Sequence, residues 1–360
     1  MNRVQLDELK IINMRNIRKA EMNPCARFNV ISGQNGMGKT NLIEGIYMLG
    51  AMRSFRTSVR RDLIFHQEEI SRITGVFGDI SYGLKCEIII GKKERSIKVD
   101  GKDAGSTGNH FQTLPMVLFH PQVMELVQGG PDSRRRFIDR ALFQANSFYP
   151  SIYKTYKKII ASRNRILRNQ NVTRESLMPF NLQLADTGSR IVKMRNDFID
   201  TMRPFFKDAV DKISSGGRGD IKYRPKIEGD KDIYLQNLND KFQIDSERKY
   251  TTCGPHSDEL QFLLDDKSAR KFASQGQQRT LVLAAKIAET KALTQSTKKI
   301  PLLLFDDVSS ELDKLRNRHL FEFLQGMGGQ VFITTTHPDY IEIDGERADY
   351  TVKDGIFNLS

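Results

Sequence analysis

Eight consecutive residues constrain this chain more than any other feature: Gly33-Gln34-Asn35-Gly36-Met37-Gly38-Lys39-Thr40. They satisfy G-x-x-x-x-G-K-[ST], a pattern that needs a strand before it, a helix after it, and backbone N–H groups curled inward at phosphate oxygens. The flanks comply. Arg27-Phe-Asn-Val-Ile-Ser32 is a short β-rich run, and Asn41-Leu-Ile-Glu-Gly-Ile-Tyr-Met-Leu49 continues with helical spacing. In such a loop Lys39 reaches the β- and γ-phosphates and the Thr40 hydroxyl ligates Mg²⁺, while the helix that follows adds its positive dipole end. The ligand implied is ATP with Mg²⁺, held by residues 33–40 together with Asn41.

A metal corner requires a second element. Leu302-Leu303-Leu304-Phe305-Asp306-Asp307 is an apolar strand ending in two carboxylates. Asp306 at the sheet's carboxyl edge can hold Mg²⁺ directly or through water, and Asp307 is placed to orient the attacking water. Paired acids could instead simply open the next helix as caps; after such a strand, in a chain with this loop, the metal role is expected.

The two halves of the site are separated by a long insertion. Glu87–Lys102 reads as a hairpin around Gly91-Lys92-Lys93, and Met116–Phe119 as a strand stopped by Pro121. From Asp132 to about Ile213 helical spacing dominates. Short strands are expected around Ile221–Ile227 and Phe242–Tyr250, helix at Ser274–Ala292, and buried parallel strands at Pro301–Phe305 and Gln330–Thr334. The expected layout is a discontinuous α/β lobe, residues 1–122 with 300–360, and a mainly helical lobe, 123–299, inserted between them.

The 360 residues carry a formal net charge of +12, which raises the prospect of a polyanionic partner, nucleic acid or an anionic membrane. No run of apolar residues is long enough for a spanning helix, and the N-terminal segment lacks a signal-peptide core. Cys25, Cys86 and Cys253 lie far apart, which suits a reducing cytoplasm and neither a disulfide framework nor a zinc site.

Ala273-Ser274-Gln275-Gly276-Gln277-Gln278-Arg279 opens a helix some thirty residues before the Asp-Asp strand. Alone it could be an ordinary cap; in that place it resembles the signature loop of ABC-type ATPases, which binds the γ-phosphate held by a partner subunit. Ser309-Ser310-Glu311-Leu312-Asp313 then resembles the D-loop, and Thr336-His337 the switch-histidine loop. Four further segments narrow the likeness: Leu9–Ile17, Arg53-Ser54-Phe55-Arg56-Thr57, Gly129–Asp139 with its Gly-Gly-Pro…Arg-Arg-Arg-Phe wording, and Cys253-Gly254-Pro255-His256-Ser257-Asp258-Glu259-Leu260. Together these resemble the RecF family of bacterial recombination proteins, relatives of the SMC heads without their long coiled coil.

The resemblance implies an ABC-type P-loop ATPase head carrying an inserted, mainly helical lobe. It further implies an ATP-dependent homodimer with weak, DNA-stimulated ATPase activity. Its DNA would be gapped or at single-strand/double-strand junctions, and it would work with RecO and RecR to promote RecA loading. It places Arg15 near the nucleotide phosphates, Gln122 at the Q-loop position as catalytic and metal residue, His337 as a catalytic residue, and Ser274, Gly276 and Gln277 on the nucleotide. Two departures stand out: Asp307 where most ABC ATPases have glutamate, and Ser257 after His256 where relatives usually have arginine.

The stretch between Arg134 and Arg174 is crowded with cations, and Arg134, Arg135, Arg136, Lys154, Lys157, Lys158, Arg163, Arg165 and Arg168 are the candidates for DNA phosphates. The alternative is a solvated face whose stems pack on the core. No base-reading module is visible, which points to structure-dependent binding. Two competing functions remain at this level: a structural DNA-binding protein with a vestigial ATPase, and the nucleotide-binding subunit of a transporter. The intact Lys39, Thr40, Asp306 and Asp307 argue against the first, and the absence of Leu-Ser-Gly-Gly-Gln wording argues against the second.

Overall fold

Four apolar runs build the sheet that carries the site. Phe28–Ser32 (β4), Met116–Phe119 (β9), Leu302–Asp306 (β14) and Val331–Thr335 (β15) are buried along almost their whole length. Such runs suit parallel strands covered on both faces. The computed structural model describes residues 2–78, 83–104, 112–214, 216–307, 313–341 and 343–360. It divides into two units: Met1–Val123 with Glu289–Ser360, and Met124–Ala288. The second division lies inside the helix Gln275–Thr297 rather than at residue 300.

In the first unit the main sheet has the order β17-β16-β4-β15-β14-β9, where β16 is Arg347–Lys353 and β17 is Ile356–Leu359. All neighbours are parallel except the edge strand β17. Thus β15 lies between the strand feeding the phosphate loop and the strand ending in Asp306. A second, antiparallel sheet contains Gln5–Met14 (β2), Ile17–Met22 (β3), Ile70–Gly78 (β5), Leu84–Gly91 (β6) and Arg95–Val99 (β7). Its strands alternate buried and exposed positions, as a sheet with one wet face does. The helix Lys39–Ala51 (α1) is buried from Leu42 to Gly50 without a polar face. Leu42, Ile46 and Leu49 share one core with Leu6 and Ile11 of β2, Ile73 of β5, and Leu302 and Leu304 of β14.

The second unit is mainly helical: Glu125–Gln128 (α2), Pro131–Ala145 (α3), Tyr149–Leu167 (α4), Arg174–Ile213 (α5), Lys231–Asp240 (α6), Phe242–Arg248 (α7) and Ala269–Phe272 (α8) precede Gln275–Thr297 (α9). Thr173 and Ser176 form a reciprocal capping box at the start of α5, the longest described helix at 40 residues. A small antiparallel sheet joins Gly219–Arg224 (β10) to Glu259–Leu264 (β11). The strand expected around Phe242–Tyr250 is corrected to α7. Asp245, between Phe242 and Arg248, turns inward to a buried arginine, a demand that the local apolar pattern does not announce. No helix among the described residues is long and apolar enough to cross a membrane.

Candidate nucleotide site and basic surfaces

The phosphate loop joins β4 to α1. Gly33, Gly36 and Gly38 all have positive φ, of 158°, 83° and 112°. A Cβ on Gly33 would stand 2.6 Å from the carbonyl oxygen of Val352 on β16, so both conformation and space demand glycine there. Asn16, in the turn between β2 and β3, donates to the carbonyl of Gly36 (2.9 Å) and accepts from Asn41 (2.7 Å), tying the loop to the second sheet. Gln34 and Asn35 are exposed, while the Met37 carbonyl accepts from Gly355 N–H (3.1 Å).

Lys39 is 6% exposed. Its Nζ donates to the carbonyls of Gly33 (2.6 Å) and Gln34 (3.0 Å), which holds the ammonium across the mouth of the loop. Burial lowers its pKa below that of an ordinary lysine, while Asp307 and then Asp306 favour its charged form.

Asp306 and Thr40 meet although 266 residues separate them. Thr40 Oγ1 donates to Asp306 Oδ1 (2.8 Å), and Thr334 Oγ1, from the intervening strand β15, lies 3.0 Å from the same oxygen. Asp307 N–H donates to Thr334 Oγ1 (3.0 Å), so one hydroxyl braces both acids. Burial pushes the Asp306 carboxyl above its usual range, and the bonds from Thr40 and Thr334 oppose that shift. Asp307 has φ 51°, a left-handed turn at the strand's end.

Arg15, expected near the phosphates, is engaged by Glu44 on the helix that leaves the phosphate loop. The guanidinium grips that carboxylate with both arms, Nε at 2.5 Å and Nη2 at 2.9 Å. Glu44 is fully buried on α1, one turn after Thr40, and also accepts from Ser54 Oγ (2.5 Å). Arg56 Nη1 approaches it at 3.6 Å and donates to Asn41 Oδ1 (2.8 Å). Phe55 anchors this segment edge-on to Tyr47 and 5.4 Å from the ring of His120. Sequence reasoning missed Glu44, Arg56 and Thr334. A lone acid in an apolar helix marked Glu44, whereas nothing local marks Thr334.

Gln122 is exposed in the turn Pro121–Met124 after β9, and no described hydrogen bond brings it to Asp306. His337 is exposed two residues beyond β15; its N–H donates to Thr335 Oγ1 (3.0 Å). In the second unit Ser274 and Gln277 cap α9 reciprocally: Ser274 N–H donates to Gln277 Oε1 (2.8 Å) and Gln277 N–H to Ser274 Oγ (3.3 Å). Ser274 and Gln277 are exposed and Gly276 half-buried. Residues 309–312 of the expected D-loop lie outside the described residues; Asp313 caps the helix Lys314–Met327 through Arg316 N–H (3.0 Å).

The nine candidate DNA cations separate by helical phase. Lys154, Lys157, Lys158, Arg165 and Arg168 are all exposed. At 3.6 residues per turn they share an arc of about 100°, along about 21 Å of α4 and its C-cap. Arg163 falls on the opposite side and is fully buried. It donates to Asp245 Oδ2 (2.7 Å), Thr251 Oγ1 (2.8 Å) and Asn181 Oδ1 (2.8 Å), so its expected place on the surface is corrected. Arg134 is also turned inward, gripping Glu259 at 2.7 and 3.0 Å. Arg135 donates to the Asp258 carbonyl (2.7 Å) and pairs with Asp132. Arg136 is exposed beside Ser133.

The Gly-Pro-His segment has an internal role too. His256 sits between Tyr156 OH (2.6 Å from Nδ1) and the Thr251 carbonyl (2.9 Å from Nε2). Arg195, 1% exposed, donates to the Pro255 carbonyl (2.7 Å) and to Asp139 Oδ1 (2.7 Å).

Residues 5–353 match the family described as RecF/RecN/SMC N terminal domain. The chain is 35% identical over 363 aligned residues to the DNA replication and repair protein RecF of Citrifermentans bemidjiense, covering 98% of this chain and 99% of that protein. It is 35% identical over 350 residues to RecF of Bacillus cereus, covering 94% and 93%. Among solved structures it resembles the recombination mediator protein RecF-ATP in the RecFOR pathway, with a TM-score of 0.91 and 29% identity over 100% of this chain and 98% of that one. An Smc head bound to the C-winged helix domain of ScpA shares the fold alone, with a TM-score of 0.57 and 16% identity over 99% and 97%.

Proposed function

The chain belongs to the RecF/RecN/SMC N-terminal domain family, among the RecF proteins of DNA replication and repair, and from this premise we propose that it is an ATP-driven clasp on gapped or junction DNA. The observation that carries the proposal is the corner where Thr40, Asp306 and Thr334 meet beside the N-terminus of α1. Lys39 exchanges its two loop carbonyls for β- and γ-phosphate oxygens of ATP, and the N–H groups of residues 33–40 surround them. Thr40 and Asp306 offer hard oxygen donors that suit Mg²⁺. An ion held by these two side chains would take its other ligands from phosphate and water. Bound there, Mg²⁺ would neutralise charge on the β- and γ-phosphates.

Asp307 orients the attacking water, with Gln122 and His337 approaching the γ-phosphate from the ends of β9 and β15. Ser274, Gly276 and Gln277 of a second copy close over the same phosphate. Hydrolysis removes that bridge and the dimer opens. The exposed stripe from Lys154 to Arg168 tracks DNA phosphates; neutralising five of them gives a salt slope of about −4.5 per copy. On the family resemblance, the clasp works with RecR and RecO to promote RecA loading.

Sedimentation velocity of the wild type, Lys39→Ala and Ser274→Arg, each with ATP–Mg²⁺ or ADP and with or without gapped duplex, tests this. The wild type should dimerise with ATP alone and carry DNA as the dimer, while both variants stay monomeric. Equal dimerisation of Ser274→Arg, or DNA binding indifferent to nucleotide, overturns the clasp and favours a vestigial ATPase.

A further inference from the structure

The first unit carries a cluster of cations that the nucleotide site does not use. Residues leaving α1 run into the turn Arg60–Leu63, which meets the tip of the β6–β7 hairpin. Two side chains join these parts: Arg60 Nη1 donates to the Lys93 carbonyl, and Arg95 Nη1 donates to the Met52 carbonyl (2.7 Å). Arg60, Arg61, Lys92, Lys93 and Arg95 are all exposed. The two anchoring arginines bind main-chain carbonyls, which fix their positions without cancelling their charge. Lys92 pairs with Glu69. The nearby Asp62 carboxylate accepts from Thr57 Oγ1 (2.8 Å), and Glu94 lies at the hairpin tip itself.

Like charges held this close repel. Partial burial, and then the neighbouring Arg60, lower the Arg95 pKa below that of an ordinary guanidinium. An arrangement that fixes several cations together is relieved by a polyanion. Planar guanidinium groups favour phosphate oxygens. The tip, Gly91-Lys92-Lys93-Glu94-Arg95, has no apolar side chain to enter a bilayer.

We propose that this face, formed by Arg60, Arg61, Lys92, Lys93 and Arg95, binds the phosphate backbone of duplex DNA. It deepens the DNA-binding reading but does not depend on the α4 stripe, because every group in it belongs to the first unit. Arg56 is excluded, since it holds Asn41 and Glu44 beside the phosphate loop. The surface reads no bases; it holds the duplex by charge and position.

The test is duplex binding by the full chain with ATP–Mg²⁺, followed by fluorescence anisotropy across about 50 to 200 mM salt. Arg61→Gln/Lys92→Gln/Lys93→Gln should weaken binding and reduce the magnitude of the salt slope by about 2 to 3, at about 0.9 for each phosphate no longer neutralised. ATP turnover without DNA and the melting temperature should stay at wild-type values, and Lys92→Arg/Lys93→Arg should retain binding. An unchanged salt slope in the triple variant overturns the proposal. So does a variant that loses affinity for phosphatidylglycerol vesicles but not for DNA. Lys154→Gln/Lys157→Gln/Lys158→Gln, run in parallel, separates the two readings. A slope reduced only in that variant leaves the α4 stripe standing and this face refuted. A slope reduced only in the hairpin variant does the reverse, and reduction in both supports each.

Discussion

Arg163→Met should cost the second unit about 4 kcal/mol and leave the salt dependence of DNA binding unchanged. Arg163 and Asp245 have no exposed side-chain surface and meet at 2.7 Å. Removing one partner leaves a carboxylate buried without its countercharge, and such breaks cost about 3–5 kcal/mol. Thr252 still donates to Asp245 Oδ1 through N–H (2.9 Å) and Oγ1 (2.7 Å), which keeps the loss below the upper end. About 4 kcal/mol is roughly a thousandfold in the folded-to-unfolded ratio. Urea denaturation followed by helical circular dichroism measures it. Arg163→Met/Asp245→Leu should recover most of the loss, because removing both charges leaves no uncompensated one. Arg165→Gln is the contrast: exposed on the same helix, it should change stability by less than about 0.5 kcal/mol and lower the salt slope by about 0.9. An Arg163→Met protein of wild-type stability with a reduced salt slope would refute the assignment of faces on α4.

Thr334→Val removes the hydroxyl shared by Asp306 and Asp307, for a loss of about 1–3 kcal/mol at neutral pH. Since burial already raises the Asp306 carboxyl and this hydroxyl opposes it, the acid limb of ATP turnover should move to higher pH; a superimposable pH profile would contradict this. Gly33→Ala sets a Cβ against the Val352 carbonyl and should weaken nucleotide binding at least about fivefold, given overpacking penalties of about 1–3 kcal/mol, as read by fluorescent-nucleotide titration. Burial pushes the Cys253 thiol to about 11 and the Cys86 thiol to about 12, so both should resist iodoacetamide at mildly alkaline pH until urea is added. Because both thiols hold their protons more tightly when folded, their contribution to stability is complete below their ordinary value of 9.0. It should decline as pH rises from there towards 11 and 12, which denaturation midpoints across that range would reveal.

The phosphate loop and the Asp-Asp strand were legible because their signals are local: glycines where φ is positive, an apolar run where a strand is buried. Thr334 was not, since its importance arises only when β15 is threaded between β4 and β14. The family resemblance alone placed Arg15 near the phosphates, and no local signal announced its partner Glu44, 29 residues away on α1. The cation-rich middle was legible in part. Helical phase alone sets Arg163 opposite Lys154, nine residues earlier, so that correction was available from spacing. Arg134 gave no such sign, because Glu259 lies 125 residues on, at the start of β11. Phe242–Arg248 read as a strand because its inward residue is an acid, which helical periodicity of apolar residues does not register.

The threading of the main sheet sets a schedule for synthesis. β4 is flanked by β15 and β16, both encoded near the other end of the chain. At about 5–20 residues per second, Thr40 leaves the ribosome roughly 13–50 s before Asp306. During that interval Phe28, Val30 and Ile31 have neither of their sheet neighbours, whereas residues 124–288 are already contiguous and free to fold. A nascent chain stalled before β15 therefore presents unpaired apolar strand edges, and arrest points placed before and after residue 335 should differ sharply in chaperone capture.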